Sequence, residues 1–263
     1  MPEPTLPYAP GTPCWADVAA PDQQAALDFY RGVFGWSGQV GPAETGGYAV
    51  CELSGKPVAG VMAAVPMDDQ PPPPTVWTTY LATDDIEATE AAVGDAGGTV
   101  MVPPMDVMSL GRMMIAADPT GAVFGVWQAV DFPGAGVVNE QGAVIWCELN
   151  TTDRQAASEF YSRVFGMETT AMEGVDDYYA LTAGGRTVGG TQPLPEGLPP
   201  ETPSHWLTYF ATSDTDDTVS RISKAGGTVL QAPFDMIAGR MALVTDPQGA
   251  PFAVIAPAPM NPS

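Results

Sequence analysis

Histidine is nearly missing from this chain: His205 is the only one among 263 residues. No multi-histidine metal centre can therefore be built within one chain, and a Ser-His-Asp or Cys-His relay would have to use His205 alone. Basic residues are also scarce. Nine Lys and Arg stand against 31 Asp and Glu, a formal net charge of −22, and the only lysines are Lys56 and Lys224. A surface this acidic repels phosphate backbones and anionic headgroups, so nucleic acid and membrane surfaces are not expected partners; the charge serves solubility. The three cysteines, Cys14, Cys51 and Cys147, are odd in number and form no C-x-x-C, which argues against a disulfide framework or a zinc ribbon. Each lies in an apolar, strand-like run and reads as a buried reduced thiol. There is no apolar run of about 18 residues, as a membrane-spanning helix would need. The opening Met1-Pro2-Glu3-Pro4-Thr5-Leu6-Pro7 lacks the basic and apolar segments of a secretory signal. The expected location is the cytoplasm.

What the chain does have is an internal repeat. Cys14-Trp15-Ala16-Asp17 is matched by Ile145-Trp146-Cys147-Glu148. Asp28-Phe29-Tyr30-Arg31-Gly32-Val33-Phe34-Gly35 is matched by Glu159-Phe160-Tyr161-Ser162-Arg163-Val164-Phe165-Gly166. Tyr48 aligns with Tyr179 at the same spacing. Further on, Trp77-Thr78-Thr79-Tyr80 pairs with Trp206-Leu207-Thr208-Tyr209, Gly111-Arg112-Met113 with Gly239-Arg240-Met241, and Asp118-Pro119-Thr120-Gly121 with Asp246-Pro247-Gln248-Gly249. This many landmarks in one order mark a duplication. The turn-forming stretch Asp131-Phe132-Pro133-Gly134-Ala135-Gly136 separates the copies. The division is residues 1–130, a linker 131–142, and residues 143–263. Proline-rich dividers, Pro71 to Pro74 and Pro199-Pro200, split each half again, into modules 11–66, 76–130, 143–193 and 204–257.

Periodicity gives the plan of one module. Thr12 to Val18 is extended. Pro21 suits the first turn of a helix, Ala26, Phe29, Tyr30 and Val33 form one buried helical face, and Gly35 caps its end. In the second half Thr152 and Gln155 read as a capping box. Three strands follow, near Trp36 to Val40, Gly47 to Leu53 and Pro57 to Val65. The next module repeats the plan: a strand at Val76 to Ala82, a helix from about Asp84 to Ala96, and strands near Thr99 to Val102, Gly111 to Ala117 and Ala122 to Val130. The fold class is α+β, four strand-helix-strand-strand-strand modules.

A first strand followed by a helix ending Phe-Tyr-x-x-Val-Phe-Gly, and later Asp-Pro-x-Gly, resembles the vicinal oxygen chelate proteins, the glyoxalase, bleomycin-resistance and extradiol-dioxygenase superfamily. The residues that carry the resemblance are Phe29-Tyr30 with Phe34-Gly35, Phe160-Tyr161 with Phe165-Gly166, Asp118 to Gly121 and Asp246 to Gly249, together with Ala-Gly-Gly in both halves. It spans Gly11 to about Pro257 and implies two tandem glyoxalase-like domains, each a U-shaped open barrel with a ligand on its concave face. Enzymatic members hold a divalent metal there with His, Glu or Gln. The positions the resemblance assigns to those ligands carry Trp15, Thr78 and Gly125 in the first half and Trp146, Leu207 and Ala253 in the second. None is an ordinary metal ligand, so neither a metal nor another cofactor is expected.

Strand alternation then puts Asp17 on the face of Trp15 and Glu148 on the face of Trp146, with Thr78 and Tyr80, or Leu207 and Tyr209, on the facing wall. Trp77 and Trp206 join the candidate ligand contacts. So do Met105 and Met236, read as parts of lid loops Met101 to Leu110 and Leu230 to Ala238 or as plain packing, and Arg112 and Arg240, read as partners for the carboxylates or as solvated residues at a strand start. The expected function is binding of an organic metabolite or antibiotic in one or both cups. The alternative is a metal-free enzyme of the glyoxalase or hydroxylase kind with Asp17 and Glu148 as bases and Tyr80 and Tyr209 as acids. A structural or regulatory protein is the third reading. The expected partner is a small molecule, and a homodimer is compatible with it.

Overall fold

The computed structural model describes residues 4, 6–66, 72–196 and 201–259. The two dividers lie partly outside them, including Pro71 and Pro199-Pro200. The first half forms a seven-stranded open sheet. It runs β1 (Pro13–Ala20), α1 (Gln23–Phe34), β2 (Ala49–Leu53), β3 (Lys56–Ala63), β4 (Trp77–Ala82), α2 (Ile86–Asp95), β5 (Thr99–Val107), β6 (Gly111–Ala117) and β7 (Val123–Ala129). The sheet order is β2-β3-β1-β4-β7-β6-β5, so β1 and β4 lie antiparallel at its centre and join the two modules.

The second half repeats this with β8 (Val144–Thr151), α3 (Arg154–Phe165), β9 (Glu168–Ala171), β10 (Tyr179–Ala183), β11 (Arg186–Pro193), β12 (His205–Ala211), α4 (Thr215–Lys224), β13 (Thr228–Met236), β14 (Gly239–Thr245) and β15 (Pro251–Pro257). Its extra strand β9 pairs with β10. At the corresponding place in the first half, where a strand was expected from Trp36 to Val40, only a bridge from Ser37 to Glu52 forms.

The helices differ from expectation at their starts. Asp22 caps α1 by accepting from the Ala25 N–H, and Asp153 caps α3 by accepting from the Ala156 N–H. Pro21 therefore stands outside the first turn, and Thr152 is not the cap. The carboxylates satisfy N–H groups that have no partner inside the helix, and favour its positive end. Gly35 and Gly166 close both helices in the left-handed conformation, at φ 77° and 67°.

The expected lid loops are strands. β5 and β13 hydrogen-bond along β6 and β14, with register shifts that absorb the extra residues around Pro103-Pro104 and Pro233. Proline is tolerated because both strands lie at a sheet edge.

The main cores lie between the two sheets. The apolar face of α1 packs on its own β1 and β3 and also reaches Phe210, Val219, Ile222, Val244 and Phe252 of the other half. Reciprocally, Phe160, Tyr161 and Phe165 of α3 pack with Leu81, Ile86, Met114 and Phe124 of the first half. Each such buried side chain contributes roughly 1.5–3 kcal/mol. The helix-bearing faces thus meet, and β4 touches β12 where the Thr79 and Thr208 hydroxyls lie 3.4 Å apart. The concave faces turn away from each other. Residues 131–142 are no free spacer. They lie against the first half, with the Ala135 N–H on the Cys14 carbonyl and the Gly136 N–H on the Pro57 carbonyl, each at 2.8 Å.

Candidate functional site

On β1, Trp15 pairs with Tyr80, while Asp17 stands between Thr78 on β4 and Gly60 on β3. Strand pleating sends these side chains to the concave face. There the Trp15 indole N–H donates to the Tyr48 hydroxyl at 2.7 Å, and the Tyr48 hydroxyl donates to Asp17 Oδ2 at 3.0 Å. The Tyr80 hydroxyl faces the same carboxylate and favours its ionised form. Asp17 is buried, and no Arg, Lys or His reaches it among the described residues. Burial pushes its carboxyl up to about 7, against the smaller opposing pull of Tyr48 and Tyr80. A buried carboxyl near neutrality with two phenols on it can donate or accept a proton.

The second half builds the same arrangement with more polar groups. Tyr209 donates to Glu148 Oε1 at 2.8 Å, and Gln192 Nε2 donates to that oxygen and to Asn150 Oδ1, each at 3.0 Å. The Trp146 indole donates to the Tyr178 hydroxyl at 2.8 Å, and that hydroxyl faces Glu148 and favours its ionised form. Burial raises the Glu148 carboxyl while all these hydrogen bonds oppose it. The counterpart of Tyr48 is thus Tyr178. Tyr179, which the repeat spacing matched to Tyr48, lies under the Arg154 guanidinium instead, 3.9 Å from ring centroid to carbon. The constant repeat spacing points to Tyr179, and the structure shifts the match by one residue to the adjacent Tyr178.

Two glycines are explained by these tyrosines. A Cβ on Gly60 would stand 1.9 Å from the Tyr48 hydroxyl, and one on Gly190 2.1 Å from that of Tyr178. Gly125, at a position the resemblance gives to a metal ligand, is filled over by the Tyr80 ring, 2.2 Å from where its Cβ would be. The other such positions hold Trp15 and Thr78, and Trp146, Leu207 and Ala253. Each indole N–H is already engaged with a tyrosine, and an N–H donor has no lone pair for a cation. Among the described residues no three His, Cys, Asp or Glu side chains converge. The residues present do not fit a protein-held divalent metal.

Four expected contacts stand elsewhere. Trp77 and Trp206 point to the helix-bearing faces, where their indoles donate to the Tyr30 and Tyr161 hydroxyls at 3.1 and 2.8 Å. They alternate with Thr78 and Leu207, so they cannot share the cup. Arg112 pairs with Glu87 and Asp106, and Arg240 with Asp216 and Asp235. These surface pairs engage the helices α2 and α4, not Asp17 or Glu148. Met105 and Met236 are on the concave side of edge strands, pairing with Met113 and Gly239, and both are exposed. His205 is at the start of β12, its Nδ1 2.9 Å from the Pro203 carbonyl.

The two cups differ in what covers them. Phe132 sets its ring edge-on to Trp15, centroids 5.0 Å apart and planes at 87°, and also edge-on to Trp127 at 6.1 Å. Its carbonyl accepts from the Trp127 indole at 2.8 Å, and the Tyr8 hydroxyl donates to the Ala135 carbonyl at 2.7 Å. Trp15 is buried beneath this segment, whereas Trp146 is only half-buried. In the sequence Phe132 belongs to the turn-forming linker. No local signal distinguishes a linker aromatic from a cup-filling one.

The family model described as Glyoxalase/Bleomycin resistance protein/Dioxygenase superfamily matches residues 14–126 and 143–254. The chain belongs to this superfamily. It is 42% identical over 259 residues to CFP32 of Mycobacterium tuberculosis, a glyoxylase candidate by name, covering 97% of this chain and 98% of that one. It is 41% identical to the anthracycline biosynthesis protein DnrV of Streptomyces peucetius, covering 94% of each. Among solved structures, the Mn(II)-bound glyoxalase from Novosphingobium aromaticivorans superposes with a TM-score of 0.61 at 18% identity, covering 96% of this chain and 89% of that one. The 2,3-dioxygenase LapB from Pseudomonas sp. KL28 superposes at 0.64 and 16%, covering 97% of each. At those identities the likeness is one of fold.

Proposed function

We propose that this superfamily member binds a small organic molecule on the concave face of its second half and does so without a protein-held metal. The observation that carries the reading is the floor of that face: Glu148, buried and held by Tyr209 and Gln192, beside a half-buried Trp146. Burial raises the Glu148 carboxyl toward its protonated form against the pull of those hydrogen bonds, and the indole and Leu207 supply apolar contact. The relatives named for anthracycline biosynthesis and the glyoxylase candidate accord with an organic metabolite as ligand. A reducing, cytoplasmic setting belongs to the same proposal, supported by three buried free cysteines.

Native mass spectrometry of the full chain purified from its own host tests this. The expected result is a retained organic mass that is lost on Trp146→Ala. A stoichiometric divalent cation that survives desalting overturns the metal-free reading.

A second reading rests on the same pair. Glu148 and Tyr209, or Asp17 and Tyr80, can pass a proton to and from a bound carbonyl compound if the carboxyl titrates near the working pH. Activity toward 2-oxoaldehyde adducts is then expected to fall at least a hundredfold in the Asp17→Asn, Glu148→Gln double variant. Undiminished activity removes those roles.

A further inference from the structure

The repeat allows one half to be used as a template for the other. Val130 and Ala258 occupy matching places, their N–H groups bonded to the carbonyls of Leu110 and Ala238. Two residues beyond Val130 comes Phe132, whose ring packs edge-on against Trp15. Two residues beyond Ala258 the sequence has Met260, outside the described residues, and Ala258 to Ser263 contains no aromatic residue. Trp146, the counterpart of Trp15, is half-buried and among the described residues has no ring stacked or set at right angles against it, although Phe234 packs on the same apolar cluster. Beneath each indole lies a tyrosine hydroxyl that accepts its N–H, with a buried carboxyl beside it. The first half therefore shows what the indole of this platform accepts, an aromatic ring set at right angles to it.

We infer that the concave face of the second half selects an aromatic ligand whose ring packs against Trp146 as Phe132 packs against Trp15, and that Phe132, by filling the first cup from within the chain, limits each chain to one such ligand. This rests on the binding reading given above and adds to it the ligand class and the stoichiometry. In such a right-angled pair the partly positive edge of one ring meets the negative face of the other, an attraction that a saturated ring lacks.

The test uses full-length protein labelled with 5-fluorotryptophan, with phenol as probe and cyclohexanol as its saturated counterpart. Fluorine resonances are assigned through Trp146→Phe and Trp15→Phe. In the unaltered sequence, phenol is expected to shift the Trp146 resonance at one equivalent, about twofold to tenfold more tightly than cyclohexanol, and to leave Trp15 unmoved. In Phe132→Ala, a second equivalent should bind and shift Trp15. Phe132→Leu, which retains most of the packing, should do so more weakly and guards against a variant that fails to fold. Equal affinity for phenol and cyclohexanol at Trp146 overturns the aromatic preference while leaving the binding reading intact. Loss of both shifts overturns both. An unmoved Trp15 in a folded Phe132→Ala protein overturns the assignment of Phe132 as internal occupant.

Discussion

The Tyr30 hydroxyl lies 3.1 Å from Asp246 Oδ2, joining a helix of the first half to a turn of the second. Asp246 Oδ1 meanwhile accepts from the N–H groups of Gln248 and Ala250, each at 2.9 Å. The two sequence marks of the superfamily, Phe-Tyr at the helix and Asp-Pro-x-Gly at the turn, are therefore parts of one contact between halves. In the reciprocal contact Tyr161 stands beside Asp118, whose Oδ1 accepts from Thr120 and Ala122, but Asp118 Oδ2 has no hydrogen-bond partner there. Tyr30→Phe should accordingly destabilise the protein by about 1–3 kcal/mol, since it leaves a buried carboxylate oxygen unpaired, and Tyr161→Phe should cost less. Urea denaturation of both variants checks the order.

Because α1 buries its aromatic stripe against Phe210 and Phe252, neither half completes its core alone. A chain ending at residue 130 should show no cooperative thermal transition as a monomer. Mixing it with residues 131–263 should restore one, read by near-ultraviolet circular dichroism. A sharp transition in either isolated half would contradict this.

Asp17 gives a pH dependence with a definite sign. Its folded-state carboxyl is raised by burial to about 7, above its ordinary value of 3.8. Between those values the folded chain keeps a proton that the unfolded chain has lost. Its contribution to stability is therefore complete below about pH 4 and is lost as pH rises to about 7, at up to about 1.4 kcal/mol per pH unit. Asp17→Asn, which stays neutral, should remove that part of the slope. Relative to the unaltered protein, the variant should then be more stable at pH 8 than it is at pH 4. Denaturant titrations at the two pH values measure the difference.

The close approach of Tyr48 to Gly60 predicts a local effect. Gly60→Ala must displace the Tyr48 hydroxyl, which would lie 1.9 Å from the new Cβ, and with it the bond to Asp17. A loss of about 1–3 kcal/mol is expected from overpacking. Gly55→Ala should cost less, although Gly55 has φ 76°, because no atom lies near its Cβ position. Thermal melts of the two variants provide the comparison.

Much of this was legible in the residues themselves. The duplication, the four modules and the shared face of Trp15 with Asp17 follow from spacing and from strand alternation, which are properties of the local backbone. That Trp15, Thr78, Gly125, Trp146, Leu207 and Ala253 stand where the superfamily places metal ligands is what the resemblance implies, read position by position. Tertiary structure alone decided which tyrosine meets each carboxyl, because Tyr178 and Tyr179 are adjacent and only the register of β10 and β11 separates them. It also decided that Arg112 and Arg240 turn to helices, that the methionine- and proline-rich segments are edge strands, and that Phe132 enters the first cup. Each of these depends on a partner far away in the chain, and pairing energies between distant segments leave no periodic trace in either segment.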